Sequence, residues 1–212
     1  MTIKQMGKLT RHFDAYFGQT DSLVLHPTED PDPLHIDVLL YPPNAKYPFW
    51  KMATMGASDF KMPPAPNTLS LYNEYMMFMD KSEDLEDRET AGWYWSKLMT
   101  VAHYPVWEGI HVTYGHSFEW GLQEEEKVFD CETDEDEMIG AFLELPEIIE
   151  DPGILRCKLG IFKTVACLQV VLLNRAEIDK LLEIGPQQFS EFLCPEQGRP
   201  HFLSQRHRSP QF

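Results

Sequence analysis

Residues 34–59 read Leu34-His35-Ile36-Asp37-Val38-Leu39-Leu40-Tyr41-Pro42-Pro43-Asn44, then Ala45-Lys46-Tyr47-Pro48-Phe49-Trp50-Lys51-Met52-Ala53, then Thr54-Met55-Gly56-Ala57-Ser58-Asp59. The first block alternates. Successive side chains of a strand point to opposite faces. Ile36, Val38 and Leu40 therefore share one face, and His35, Asp37, Leu39 and Tyr41 the other. Pro42-Pro43-Asn44 ends the strand, because proline has no N–H to give a ladder. Phe49–Gly56 reads as a second strand, so the stretch predicts a hairpin. Gly56-Ala57-Ser58-Asp59 reads as a turn in which Ser58 or Asp59 bonds its own backbone.

Working outward, Leu71–Met79 is apolar at most positions and predicts a third strand, buried on both faces. Between them, Met62–Asn67 is a proline-rich extended loop. Upstream, residues 3–17 predict a helix: Thr2 and Gln5 form a capping box, and Leu9, Phe13, Tyr16 and Phe17 fall on one face. Gly18 is placed to stop it. Pro27–Pro33 reads as a turn. Downstream, residues 80–90 are charged and should be exposed. Residues 91–103 return to helical spacing through Trp95, Leu98, Met99 and Ala102. Residues 104–123 have no clear period. Residues 138–145, 155–162 and 165–173 predict three strands. Asn174 starts a helix with Glu177 in the capping-box position and Ile178, Leu181 and Leu182 inward. Pro186 opens a last short helix, with Phe189, Phe192 and Leu193 inward. The order predicts one α+β domain, with a mixed, largely antiparallel sheet and helices packed on it. Residues 1–29 are a helix and lead-in, and 195–212 a basic tail. From Gly198 that tail carries Arg199, His201, Arg206, His207 and Arg208 and no acid, and it reads as disordered in isolation.

Composition narrows the function. The 212 residues are 43% apolar, enough for a real core. With 34 Asp and Glu against 18 Lys and Arg, the net charge is −16. A field of that sign repels nucleic acid and anionic lipid, and it speeds encounter with basic partners. Nine acids stand in 124–137: Glu124, Glu125, Glu126, Asp130, Glu132, Asp134, Glu135, Asp136 and Glu137. This run reads as a solvated face first and a partner-binding face second. It lacks the spacing of a calcium loop. Cys131, Cys157, Cys167 and Cys194 form no C-x-x-C pair and read as reduced thiols. Met1–Thr10 has no apolar leader run, and no stretch approaches a membrane span, so the cytoplasm is the expected location.

No phosphate-binding glycine loop, nucleophile elbow or zinc-protease motif is present, so no cofactor, no metal and no catalysis are expected. The best enzyme signal is His35 with Asp37, at i and i+2 on one strand face. His103, His111, His116 and Glu108 would have to join them by folding to make a metal-dependent hydrolase. A structural His–Asp pair is the commoner meaning of such a pattern. Trp93, Tyr94, Trp95, Tyr104, Trp107, Met76, Met77 and Met79 read mostly as core, with any exposed members suited to an interface.

Taken in order, certain segments resemble the suppressor of fused domain family. They are Ile36–Pro43, Phe49, the Thr54-Met55-Gly56-Ala57-Ser58-Asp59 block, Met62-Pro63, the strand Tyr72–Phe78, a Trp-bearing helix, Gly115-His116 and Val170–Leu182. The likeness covers roughly residues 30–194, and Asp37, Tyr41, Pro42, Thr54, Met55, Gly56, Ser58 and Asp59 carry its motif. The resemblance implies a protein-binding role without catalytic residues. Animal members of the family are two-part regulators that clamp an extended peptide of a transcription factor as an added strand; this chain has the length of the first domain alone, so that clamping does not carry over. Stand-alone bacterial members look like immunity proteins that neutralise toxins, many of them nucleases. The leading expectation is therefore an acidic immunity protein for a basic toxin. A metal-dependent hydrolase and a peptide-binding adaptor using strand addition are the alternatives.

Overall fold

A computed structural model describes residues 1–18, 23–27, 34–66, 68–120, 137–193 and 203–209. Eight strands form one sheet: β1 (Leu23–Leu25), β2 (Asp37–Tyr41), β3 (Trp50–Met55), β4 (Asn73–Met79), β5 (Ser117–Glu119), β6 (Gly140–Glu144), β7 (Arg156–Lys158) and β8 (Thr164–Leu173). Their spatial order is β1-β2-β3-β4-β8-β6-β5, with β7 also paired to β8. Only β4 and β8 run parallel; every other pair is antiparallel. The chain is thus a single α+β domain on a mixed, mainly antiparallel sheet, as the sequence predicts.

Helices cover both faces. α2 (Arg88–Glu108) lies on the face that carries Ile36, Val38, Leu40, Tyr75, Met77, Leu168 and Val170, and it buries Tyr94, Leu98, Val101 and Ala102 there. α1 (Ile3–Phe17) packs Leu9, Phe13 and Phe17 on the opposite face, against Leu39, Tyr41, Met76, Phe78, Val165 and Cys167. α3 (Arg175–Ile184) and α4 (Pro186–Leu193) cover Phe142, Val171 and Leu173 on that same second face, through Ile178, Leu181, Phe189 and Leu193. Double coverage is why β4 and β8 are almost continuously apolar. The capping boxes Thr2–Gln5 and Asn174–Glu177 both form.

Several boundaries differ from the sequence reading. α2 begins at Arg88, because the Asp87 carboxylate caps Thr90 N–H at 2.8 Å. It continues past Pro105 to Gly109, whose left-handed backbone (φ 64°) closes the last turn. The stretch 155–162 is not one strand. A 3-10 turn (Pro152–Leu155) leads into the short β7, and Leu159 and Gly160 N–H then both bond Lys163 C=O (2.9 and 3.1 Å) in a tight hairpin. Ile161 and Phe162 at its tip are exposed, and so is Leu182, which the helical spacing placed inward. The three-residue strands β1 and β5 are too short for a period to reveal.

The basic tail is the largest correction. Residues 203–209 are built into the fold rather than disordered. Ser204 N–H bonds Phe78 C=O at 2.7 Å, and Asp80 N–H bonds Ser204 C=O at 3.2 Å. Arg208 is buried. Its guanidinium forms a bidentate pair with the buried Glu177 carboxylate (Nη2 to Oε2, 2.8 Å) and also gives a bond to Leu172 C=O at 2.8 Å. Arg206 N–H reaches Glu83 (3.4 Å), its guanidinium reaches Glu89 (3.7 Å), and it lies over the Trp93 ring. Of the described tail arginines, Arg208 pairs with a buried carboxylate and Arg206 with the exposed Glu89.

Two predictions follow from these buried charges. Removing one partner of a buried ion pair leaves the other charge uncompensated. Arg208→Ala should therefore lower unfolding free energy in urea by about 3–5 kcal/mol. An exposed arginine would give almost no change. The second concerns Glu144 on β6, which burial pushes up from 4.5 to about 7, against favourable bonds from Ser190 and the Leu145 N–H. The folded state then binds more protons at this carboxyl than the unfolded state does. Its stabilising contribution is complete below pH 4.5 and is lost as pH rises through about 7. Glu144→Gln should flatten that part of the stability–pH curve by about 2 kcal/mol, read by denaturation at fixed ionic strength.

Candidate functional site

The Thr54–Asp59 motif wraps around one carboxylate. β3 pairs with β4 from Trp50↔Met79 to Ala53↔Met76, and there the ladder ends. Beyond it, side chains replace the missing backbone bonds. Thr54 Oγ1 accepts from Tyr75 N–H at 2.8 Å and donates to Glu74 Oε2 at 2.6 Å. Glu74 Oε1 accepts from both Gly56 N–H and Ser58 N–H, each at 3.1 Å. Glu74 is fully buried. Burial pushes its carboxyl up from the ordinary value, while the bonds from Thr54, Gly56 and Ser58 favour the charged form. Gly56 has φ +136°, and a Cβ there would stand 2.3 Å from His35 C=O. Glycine is required because the His35–Ile36 backbone, just before β2, passes so close.

The other motif residues are also tied inward. Tyr41 Oη donates to Asp14 of α1 at 3.0 Å, and burial with that carboxylate raises its phenol. Pro42 C=O accepts from Lys51 Nζ at 2.7 Å; Lys51 is wholly buried, and burial lowers it to about 8. Thr10 Oγ1 lies 3.7 Å from Met55 Sδ. Ala57–Asp59 forms a 3-10 turn, and Asp59 pairs with Lys163 (3.2 Å) and with the Met1 amino group. These residues build the hairpin and anchor α1.

Asp37 stands apart. It opens β2, the strand next to the edge strand β1, with its side chain buried. Oδ1 lies 2.6 Å from His26 Nδ1 and 3.0 Å from His35 Nε2. Both imidazoles are half exposed. Leu25 pairs with Val38 in the β1–β2 ladder, which sets His26, the next residue, across from Asp37. Sequence reasoning found His35 and Asp37 but missed His26. His26 sits before the proline-containing stretch 27–33, most of which lies outside the described residues, far from any period, and only the cross-strand register brings it in.

The remaining histidines do not join this group as a hydrolase would require. His103 Nδ1 meets Met99 C=O at 2.9 Å and its Nε2 meets Leu34 C=O at 3.3 Å, with the ring stacked on Trp107. His111 meets Pro63 C=O at 3.0 Å, and His116 meets Thr113 at 3.1 Å. Burial lowers His111.

Of the acidic run, Glu124, Glu125, Glu126, Asp130, Glu132, Asp134, Glu135 and Asp136 lie outside the described residues. Glu137 is exposed, and its backbone bridges to His207. The described surface is not uniformly negative. Lys4, Lys8 and Lys158 line an open groove beside the exposed Ile161. That end is not the face for a basic partner. Among the described residues no helix is long and apolar enough to cross a membrane.

Comparison with known proteins agrees with this architecture. The family model for the suppressor of fused protein (SUFU) matches residues 32–207, and the chain belongs to that family. The match takes in most of the ordered tail. No curated protein matches the chain. Among solved structures, a chain of the Sufu–Fu complex superposes with a TM-score of 0.67 at 15% identity, covering 97% of this chain and 91% of that one. A SUFU homologue from Neisseria gonorrhoeae gives 0.66 at 12% identity, covering 98% and 97%. Drosophila Suppressor of Fused gives 0.64 at 16% identity; 95% of this chain matches 50% of that chain. At such identities the shared property is the fold.

The Glu74 knot makes a graded prediction for stability. Glu74→Ala strands two backbone N–H groups and the Thr54 hydroxyl in the core, and it should cost about 3–5 kcal/mol. Glu74→Gln keeps an acceptor for the backbone groups and should cost only about 1–2 kcal/mol. Gly56→Ala should cost about 3 kcal/mol or more, since backbone must move. Urea denaturation of the three variants gives the order; equal, small losses would refute the assignment.

Proposed function

We propose that this SUFU-family chain is a protein-binding module of the immunity type, which neutralises a basic, nuclease-type toxin by covering it and catalyses nothing itself. The observation that carries the reading is a net charge of −16 on this fold. One relative with the fold is described as part of the Sufu–Fu complex, that is, seated on another protein. Nuclease toxins are basic, because they must approach phosphates. An acidic inhibitor presents a rival negative surface and associates quickly. In this reading Glu124, Glu125, Glu126, Asp130, Asp134, Glu135, Asp136 and Glu137 supply the contact charge, and the protein acts in the cytoplasm.

A second reading has its own support. Among the described residues, β1 pairs only with β2 and β5 only with β6, so each has an outer edge without a neighbouring strand. An extended peptide can add there through backbone bonds. Such a binder would be indifferent to the net charge of its ligand.

Salt separates the two. With the chain as bait in a lysate containing the toxin, a basic protein should be captured, released by salt and inhibited while bound. Affinity should fall roughly tenfold or more from low to high salt, because rim charges are screened. Unchanged affinity would sink the electrostatic reading and favour strand addition.

A further inference from the structure

We propose that His26, His35 and Asp37 form a binding site for a divalent transition-metal ion of the zinc class. The argument begins with donor chemistry. The cluster offers two imidazole nitrogens and one carboxylate oxygen, all within 4.8 Å of one another. Imidazole with carboxylate suits zinc and its first-row neighbours, whereas calcium and magnesium take oxygen ligands.

Geometry is the second support. Metal–ligand bonds of about 2.0–2.2 Å at tetrahedral angles put donor atoms roughly 3.3 Å apart. Here Oδ1 of Asp37 is 2.6 Å from His26 Nδ1 and 3.0 Å from His35 Nε2. The three donors are already gathered around Asp37 Oδ1, and widening its two contacts toward that spacing admits the ion. The half-exposed rings can make that movement, while the buried Asp37 stays fixed in β2. Exposure of both rings also leaves the fourth position to water or to a group from outside.

Backbone register supplies the third. His35 lies two residues before Asp37, the first residue of β2, and His26, the residue after β1, is brought across from Asp37 by the β1–β2 ladder. The ligands therefore come from two paired segments rather than from one flexible loop. Bound metal would tie the end of the three-residue β1 to β2, fixing a sheet edge that one neighbour holds among the described residues. The proposal does not depend on the identity of any protein partner.

The experiment uses the full chain, stripped with chelator and dialysed. Zinc chloride is titrated in by calorimetry, with magnesium chloride as the control, and thermal unfolding is followed in parallel. The expected result is one zinc ion per chain, a raised midpoint of unfolding and no response to magnesium. His26→Ala and His35→Ala alter exposed side chains and should leave the fold intact, while lowering zinc affinity roughly a hundredfold each. Cobalt substitution reads geometry directly: an intense visible absorption band should appear in the wild type and vanish in both variants. Equal zinc binding by the wild type and the double variant would overturn the proposal, by placing the ion on scattered surface groups. Absence of zinc binding at micromolar concentrations would overturn it as well.

Discussion

The Glu74 carboxylate holds together a place where the sheet would otherwise come apart. β3 and β4 stop pairing after Ala53↔Met76, yet both chains continue, buried, for several residues. Buried backbone donors without acceptors are costly, so something must take the place of the ladder. One acidic side chain takes Gly56 and Ser58 N–H, and the Thr54 hydroxyl joins it to Tyr75 N–H. Once the strands are parted here, β3 can turn through its 3-10 step, and Asp59 can reach Lys163 at the far hairpin. The burial of an acid in the core is the cost of a sheet whose central strands diverge, and three hydrogen bonds offset it.

The same balance recurs across the molecule. Lys51, Glu144, and the Arg208–Glu177 pair are all buried. Each sits where backbone groups need a partner: Lys51 on Pro42 and Tyr47 C=O, Glu144 on Leu145 N–H, Arg208 on Leu172 C=O, and Glu177 on Asn174 N–H. Such charges add little net stability compared with apolar residues of the same shape. Their removal one at a time is costly, so they select one arrangement of chain over others. Arg208 makes this plain: its bidentate pair brings the end of the chain to the N-terminus of α3, where composition alone suggested a free arm.

Long periodic elements were legible in the sequence. The alternation of β2 side chains between the two faces, both helix capping boxes and the doubly buried β4 follow from local spacing, because each is decided within a few residues. The motif residues were legible too, but not their role. Glu74 is a single acid in an apolar strand, and that mismatch was the available signal of a buried polar partner. What local spacing could not carry is pairing across distance. His26 meets Asp37 through strand register, and Arg208 meets Glu177 across the fold. Ile161 and Phe162 misled for the opposite reason: apolar residues usually continue a strand, yet here a tight turn puts them into solvent.

This division bears on where binding specificity resides. The residues that carry the family resemblance point inward, to Glu74, Asp14, Lys51 and the α1 helix. In this chain Thr54, Gly56 and Ser58 meet the demands of the parted strands through Glu74, while Tyr41 and Asp59 tie to Asp14 and Lys163. Apart from Pro42 and Asp59, which are exposed, the motif residues are buried. Charge and exposed side chains are under no such demand, because net charge governs association and leaves the fold alone. Among the described residues, exposed groups outside the motif include Glu137, the outer edges of β1 and β5, and the hairpin tip Ile161–Phe162. Asp37 is different: its carboxylate is buried in the strand, but the two imidazoles beside it face solvent, so a residue that helps to make the fold there meets exposed donor groups.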